Sequence, residues 1–255
     1  MTHKVLELFA GIGGFSLGLE RTGGFETIAF CEQDEKAKLV LNKHWPDVPI
    51  YDDVKELTGD RLAADGIVPT VITGGFPCTD ISGAQQHKPT GIDQPRSGLW
   101  KHYARLIKEL RPKWCIIENV PLLRRRGLAV VLSDLWKVGY NAEWHCIPAS
   151  AVGAPHQRDR IWITAVAHPD EPRLEGRLRS VLQECPSELP IGAGGSCARR
   201  LSNYWEPESS VLRVAPRIPG DVDRLKQLGN SVVPQLPRLI GEAILARDSI
   251  HRDNP

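Results

Sequence analysis

Thr70-Val71-Ile72-Thr73-Gly74-Gly75-Phe76-Pro77-Cys78-Thr79-Asp80-Ile81-Ser82 is the stretch from which the fold is read. Its first four residues are β-branched, which predicts a short buried strand. The apolar pattern then stops, and a polar, glycine-containing segment continues to Gly98. Cys78 is therefore expected on a loop at the carboxyl end of a strand, the edge where open α/β sheets bind ligands. A thiolate there would be an accessible nucleophile. Pro77 fixes the backbone beside it, and the paired glycines allow a tight turn or a close approach. Taken alone, such a cysteine is also an ordinary loop residue, so its neighbours decide.

The chain has 255 residues, 41% of them apolar, with a net charge of +1. That suits one large domain, or one domain carrying a small insertion. No run of about 18 apolar residues is present, so no membrane span is expected. The N-terminus enters an apolar strand after Lys4 and lacks the parts of a signal peptide. Six scattered cysteines show no CxxC and no zinc spacing. A reduced, cytoplasmic protein without structural disulfides or metal follows. Between Lys137 and Lys226 there is no lysine, yet arginines recur from Arg158 to Arg224. Arginine matches phosphates and guanine edges bidentately, although a compositional bias would give the same pattern.

The other elements surround the opening stretch. Val5 to Phe9 reads as a strand running into Ala10-Gly11-Ile12-Gly13-Gly14-Phe15-Ser16 and then a helix. A strand, a glycine-rich turn and a helix N-terminus make a cradle for a nucleotide-like ligand. Ser16 stands where a dinucleotide fingerprint has its third glycine, which weighs against a nicotinamide dehydrogenase. Thr27 to Cys31 is a second strand ending at Glu32, an acid about 20 positions past the glycines, where a ribose diol would be held. Glu35 to Trp45 reads as a helix stopped by Pro46 and Pro49. Ile50-Tyr51 is a third strand, with Asp53 preferred to Asp52 for an adenine amino group. Leu57 to Ala64 and Leu99 to Leu110 read as helices flanking the Cys78 strand and its long loop. Loops that long are functional lids or lack structure of their own.

Trp114 to Ile117 is a further buried strand, ending in Glu118-Asn119-Val120-Pro121. Two neighbouring loops would thus present Cys78 and Glu118 to one crevice. Arg124-Arg125-Arg126 reads as a solvated helix start, with phosphate contact as the alternative. Leu128 to Val138 is a helix. Trp144 to Ile147 and Arg160 to Val166 form a strand pair, and Arg158 and Arg160 alternate as if on one strand face. Two guanidiniums on one face need an anion or a carboxylate. From His168 to Arg224 periodicity weakens and proline, glycine, serine and arginine dominate, as in a small separate module. A turn at Gly229-Asn230-Ser231-Val232 then leads into a helix from Leu236 to Ala246.

These blocks resemble the cytosine carbon-5 DNA methyltransferases. Leu8 to Gly14 looks like the methyl-donor loop of that family and Gly75-Phe76-Pro77-Cys78 like its nucleophile block. Glu118-Asn119-Val120, Gln157-Arg158-Asp159-Arg160 and Gly229-Asn230-Ser231-Val232 look like three further blocks, all in the family's order. The resemblance implies a doubly wound, mostly parallel, seven-stranded α/β sheet dependent on S-adenosylmethionine, with a small irregular target-recognition insertion. The catalytic and cofactor-binding domain would be 1–166 plus 225–255, and the recognition region 167–224. At about 55 residues that region is short for the family. Thr79 also departs from the family's usual Pro-Cys-Gln, and the loop after Ser82 is longer than usual.

By resemblance, Cys78, Glu118, Arg158 and Arg160 are the catalytic set. Cys78 would add to carbon 6 of a flipped-out cytosine. Glu118 would bond the ring nitrogen and amine, and Arg160 the carbonyl oxygen, while the two arginines lower the thiol pKa. Phe9, Ala10, Gly11, Gly13, Gly14, Glu32, Asp53, Pro77, Leu99, Asn230 and Ser231 would hold S-adenosylmethionine. Gln85 or Gln86 would fill the vacated stack. The expected partner is double-stranded DNA, met by a monomer in the cytoplasm at the nucleoid of a bacterial or phage-infected cell. An RNA cytosine methyltransferase and an inactive DNA-binding homologue are the alternatives. The first lacks its Cys-Phe-Thr run here, and the second has no need of the Cys78, Glu118 and Arg160 trio.

Overall fold

A computed structural model describes residues 2–77, 98–167, 228 and 230–253, the last three by backbone alone. Seven strands form one sheet in the order β3-β2-β1-β4-β5-β7-β6. They are β1 (His3–Leu8), β2 (Phe25–Cys31), β3 (Ile50–Tyr51), β4 (Val71–Gly75), β5 (Trp114–Asn119), β6 (Tyr140–Ile147) and β7 (Arg160–Ala167). β1 to β5 pair in parallel, while β7 runs antiparallel to both β5 and β6. β1 has β2 on one side and β4 on the other, so the chain order reverses there. That reversal opens a crevice beyond the carboxyl ends of β1 and β4.

Both faces of the sheet are covered, as the near-continuous apolar strands require. Alternate residues go to opposite sides. Leu6, Leu8, Ile72, Cys115 and Ile117 pack with α4 (Leu99–Leu110) and α6 (Leu128–Lys137). Val5, Val71, Trp114 and Ile116 pack with α1 (Gly14–Glu20) and the C-terminal helix α7 (Gln235–Asp253). Among the described residues the remaining α-helices are α2 (Glu35–His44), α3 (Gly59–Ala64) and α5 (Leu123–Arg126). α4 buries Trp100, Tyr103, Leu106 and Ile107. Each such side chain is worth roughly 1.5–3 kcal/mol of burial, which makes α4 a rigid wall behind the β4 loop.

Several boundaries differ from the reading of the sequence, and four of them show why. β1 stops at Leu8, because Phe9 turns into the left-handed region at φ 53°. α3 starts at Gly59, since the Thr58 hydroxyl accepts from Arg61 N–H as its N-cap. β6 starts four residues earlier, at Tyr140, because its ladder with β7 is complete from Tyr140↔Ala167 onward. α7 runs past Ala246: buried Asp248 accepts from His3 and Lys113, and Arg247 lies over Trp114. Charged residues at those positions therefore continue the packed face of the helix. Among the described residues, no helix is long and apolar enough to cross a membrane.

Candidate active site

A cavity of about 710 Å³ occupies the crevice at the reversal point. The tips of β1, β2, β3, β4 and β5 all contribute to its wall, with Leu99, Arg158, Arg160 and Asn230 completing it. Its two ends differ in chemistry.

At the β5 end lies Glu118. Parallel pairing sets it opposite Gly75 at the end of the β4–β5 ladder. A Cβ at Gly75 would come within 2.7 Å of the Glu118 carboxylate, so this position needs glycine. Arg160, the first residue of β7, donates from Nε to Glu118 Oε1 at 2.8 Å. Burial pushes the Glu118 carboxyl up, and the Arg160 and Arg158 charges only partly oppose it. The alternation suggests that Arg158 shares a strand with Arg160, but β7 begins at Arg160 and Arg158 lies before it. Its φ of 39° turns the chain just before β7, and its guanidinium donates to the Ser231 carbonyl at 2.9 Å. Both arginines still face the cavity. Arg124 and Arg125 are exposed on α5.

At the β2 end lies Glu32. One oxygen accepts Gly11 N–H at 2.7 Å, and the other accepts Gln33 and Asp34 N–H at 2.9 and 2.8 Å. Glu32 thereby ties the glycine turn after β1 to the start of α2. Asp53 accepts from Gln33 Nε2 at 3.3 Å, whereas exposed Asp52 is taken by Lys38. Half-buried Phe9 lines the cavity and stacks on Tyr103, with centroids 6.4 Å apart.

Among the residues the sequence singles out, Phe9, Gly11, Glu32, Asp53, Pro77, Leu99, Glu118, Arg158, Arg160 and Asn230 line this one cavity. Ala10, Gly13, Gly14 and Ser231 do not. Ala10 is buried with Phe30 and Leu41. A Cβ on Gly13 would lie 2.6 Å from the Trp45 ring, and one on Gly14 2.7 Å from the Val232 carbonyl. These two glycines let α2 and the segment before α7 approach the turn. Cys78, the loop bearing Gln85 and Gln86, and the recognition region 168–224 lie outside the described residues.

Two buried polar residues, one in the cavity wall and one outside it, carry no role in the sequence reading. Asn119 is one, and its side chain bonds the β4 loop. Glu7 is the other. Wholly buried on β1, it accepts Ser16 Oγ at 2.5 Å and the Ser16 and Phe15 N–H groups at 2.9 and 3.3 Å. Burial raises its pKa to about 7, against those hydrogen bonds. Ser16, at the position where a dinucleotide fingerprint has glycine, is the hydrogen-bond partner of this acid. A charged residue inside an otherwise apolar strand was the available signal.

The family model described as C-5 cytosine-specific DNA methylase matches residues 3–190. The chain belongs to this family. The Type II methyltransferase M2.BsuMI of Bacillus subtilis is 36% identical over 193 residues, covering 68% of the chain and 47% of that relative. The Type II methyltransferase M.AluI of Cellulosimicrobium cellulans is 33% identical over 255 residues, covering 87% of the chain and 48% of its own. The chain thus spans about half the length of these relatives. The fold also matches the solved S. pombe Dnmt2 methyltransferase, with a TM-score of 0.63 at 19% identity over 89% of this chain and 66% of that one.

Membership of a methylase family implies a methyl donor, and the β2 end of the cavity suits one. Glu32 and Asp53 both line that end, and each carboxylate has acceptor capacity beyond the groups it already holds, as hydroxyl and amino donors require. Phe9 offers a ring face, and Gly11 leaves open space at its Cβ position. Among the described residues, no three His, Cys, Asp or Glu side chains converge as they would around a metal ion.

Proposed function

We propose that the protein is a DNA cytosine-5 methyltransferase that works through a covalent Cys78 adduct. One observation carries this reading: a buried glutamate clamped by arginine shares a single cavity with two strand-tip carboxylates, and Pro77, the residue before Cys78, is in its wall. Glu32 holds the ribose, Asp53 the adenine amine, and Phe9, Leu99 and Asn230 the rest of the donor. S-adenosylmethionine, when bound, supplies an electrophilic methyl group.

Cytosine carbon 5 is a weak nucleophile, so the ring must first be activated. The Cys78 thiolate adds to carbon 6, and the ring electrons move to carbon 5. A thiol of pKa about 8.5 needs cationic neighbours for this at neutral pH, which Arg158 and Arg160 provide. Glu118, whose pKa burial raises, donates to the ring nitrogen as negative charge develops. Arg160 bonds the carbonyl oxygen. Carbon 5 takes the methyl group, Glu118 takes back the ring-nitrogen proton, a general base removes the carbon 5 proton, and the sulfur is expelled as the ring double bond re-forms. The base is reached only if it is flipped out of the duplex. The region 167–224 selects the target site, and 1–166 with 225–255 does the chemistry.

The test uses the full chain, S-adenosylmethionine and duplexes carrying 5-fluorocytosine. A denaturation-resistant adduct through Cys78 is expected, and Cys78→Ala should lose it together with methylation while keeping donor affinity within about threefold. Failure to trap any adduct on DNA the protein methylates would sink the mechanism. Loss of donor binding in the variant would make Cys78 structural.

A further inference from the structure

We infer that Asn119 is a positioning residue for the nucleophile, setting the Phe76–Pro77 peptide through which the chain reaches Cys78. This rests on the reading of Cys78 given above.

The β4–β5 ladder ends at Gly75↔Glu118, so no strand pairing holds the two chains beyond that point. Asn119 takes over there. It is the last residue of β5, and only 3% exposed. Its Nδ2 donates to the Phe76 carbonyl at 3.0 Å, and its Oδ1 accepts Val120 N–H at 2.8 Å. One side-chain amide thus orients both the peptide leaving β4 and the loop leaving Glu118. Phe76 is held at its other end too, because its buried ring packs on Trp100 with centroids 5.5 Å apart. Proline then locks the next φ near −65°. With the 76–77 peptide plane and that φ both set, the direction in which the chain leaves Pro77 depends on a single torsion.

The chemistry of the amide is specific. Leucine would fill the space but leave the Phe76 carbonyl and the Val120 N–H without this partner. Glutamine is a methylene too long for a buried site. An ionised aspartate would turn an acceptor oxygen toward the carbonyl. Protonated, the same carboxyl would donate to it again. That gives a signature that loss of packing cannot imitate.

The experiment compares the full chain with its Asn119→Asp and Asn119→Leu variants, on DNA that the unaltered protein methylates. Methyl-transfer rate and donor affinity are measured from pH 5.5 to pH 8.5. Both variants should be about 100-fold slower at pH 8, the effect of a displacement near 1 Å in a reacting group. Donor affinity should stay within about threefold. As the pH falls, the rate of Asn119→Asp relative to the unaltered protein should climb about tenfold or more, the gain from restoring the donor, while that of Asn119→Leu stays flat. The inference is overturned if Asn119→Asp is as fast as the parent at pH 8. It is equally overturned if the two variants share one pH profile, or if donor affinity falls in step with rate, which would mean a role in folding alone. A parent chain that methylates no DNA would refute the proposed function instead.

Discussion

The two ends of the cavity carry the same residue type at the same kind of position, yet in opposite environments. Glu32 and Glu118 each sit at the carboxyl end of a parallel strand. Glu32 is half-buried and accepts three backbone N–H groups. Glu118 is pressed against Gly75, with the Arg160 guanidinium on one oxygen. The first arrangement fixes an acceptor at the cavity edge, while the second is a carboxyl whose pKa burial raises against the pull of Arg160 and Arg158. Environment, more than residue identity, divides binding from chemistry. Glu7 is a third case. It is buried like Glu118 but filled by donors from α1 and absent from the cavity wall, so it serves the fold.

The sharpest way to break this contrast is Glu118→Gln, which keeps shape and removes the transferable proton. We expect kcat to fall by about 10²–10⁴-fold with donor affinity unchanged, measured by tritiated methyl transfer and by calorimetry. Weakened donor binding would show that the two ends are not separate. Glu32→Gln should do the reverse. Donor Kd should rise about tenfold, or about 1.4 kcal/mol, while kcat at saturating donor changes less than threefold. A kcat loss of the Glu118→Gln size would erase the distinction.

Glu7→Gln has the smallest effect on activity and isolates burial from catalysis. The folded pKa of Glu7, about 7, lies above its ordinary 4.5. The folded state therefore holds a proton that the unfolded state releases. Stability is fully present below about pH 4.5 and falls as the pH rises through 7, by roughly 3 kcal/mol. Denaturant midpoints across this range should fall less steeply for Glu7→Gln. Parallel slopes for the two proteins would mean that Glu7 titrates normally in the fold.

Much of this arrangement was legible in the chain. The strands β1, β2, β4, β5 and β7 announce themselves as β-branched and apolar runs, and the acids Glu32 and Glu118 stand at the ends of β2 and β5. What escaped was set by partners distant along the chain. Tyr140 to Glu143 has no strand-like alternation, and it is a strand only because β7 offers a ladder. Arg247 and Asp248 read as the end of a helix until His3, Lys113 and Trp114 are placed beside them. Arg158 alternates with Arg160 like a strand residue, but its left-handed backbone takes it off the strand.

The order of elements, the acids at their tips and the glycine turn were determined by the sequence alone, because hydrophobic period and turn chemistry act between near neighbours. Only the tertiary structure decided which acid is desolvated, why Gly75 has no side chain, and that Gly13 and Gly14 serve packing. It also decided that Asn119 joins the two loops of the site. Those outcomes depend on a dry contact or a hydrogen bond between residues tens of positions apart, and parallel pairing across the sheet is what brings them together.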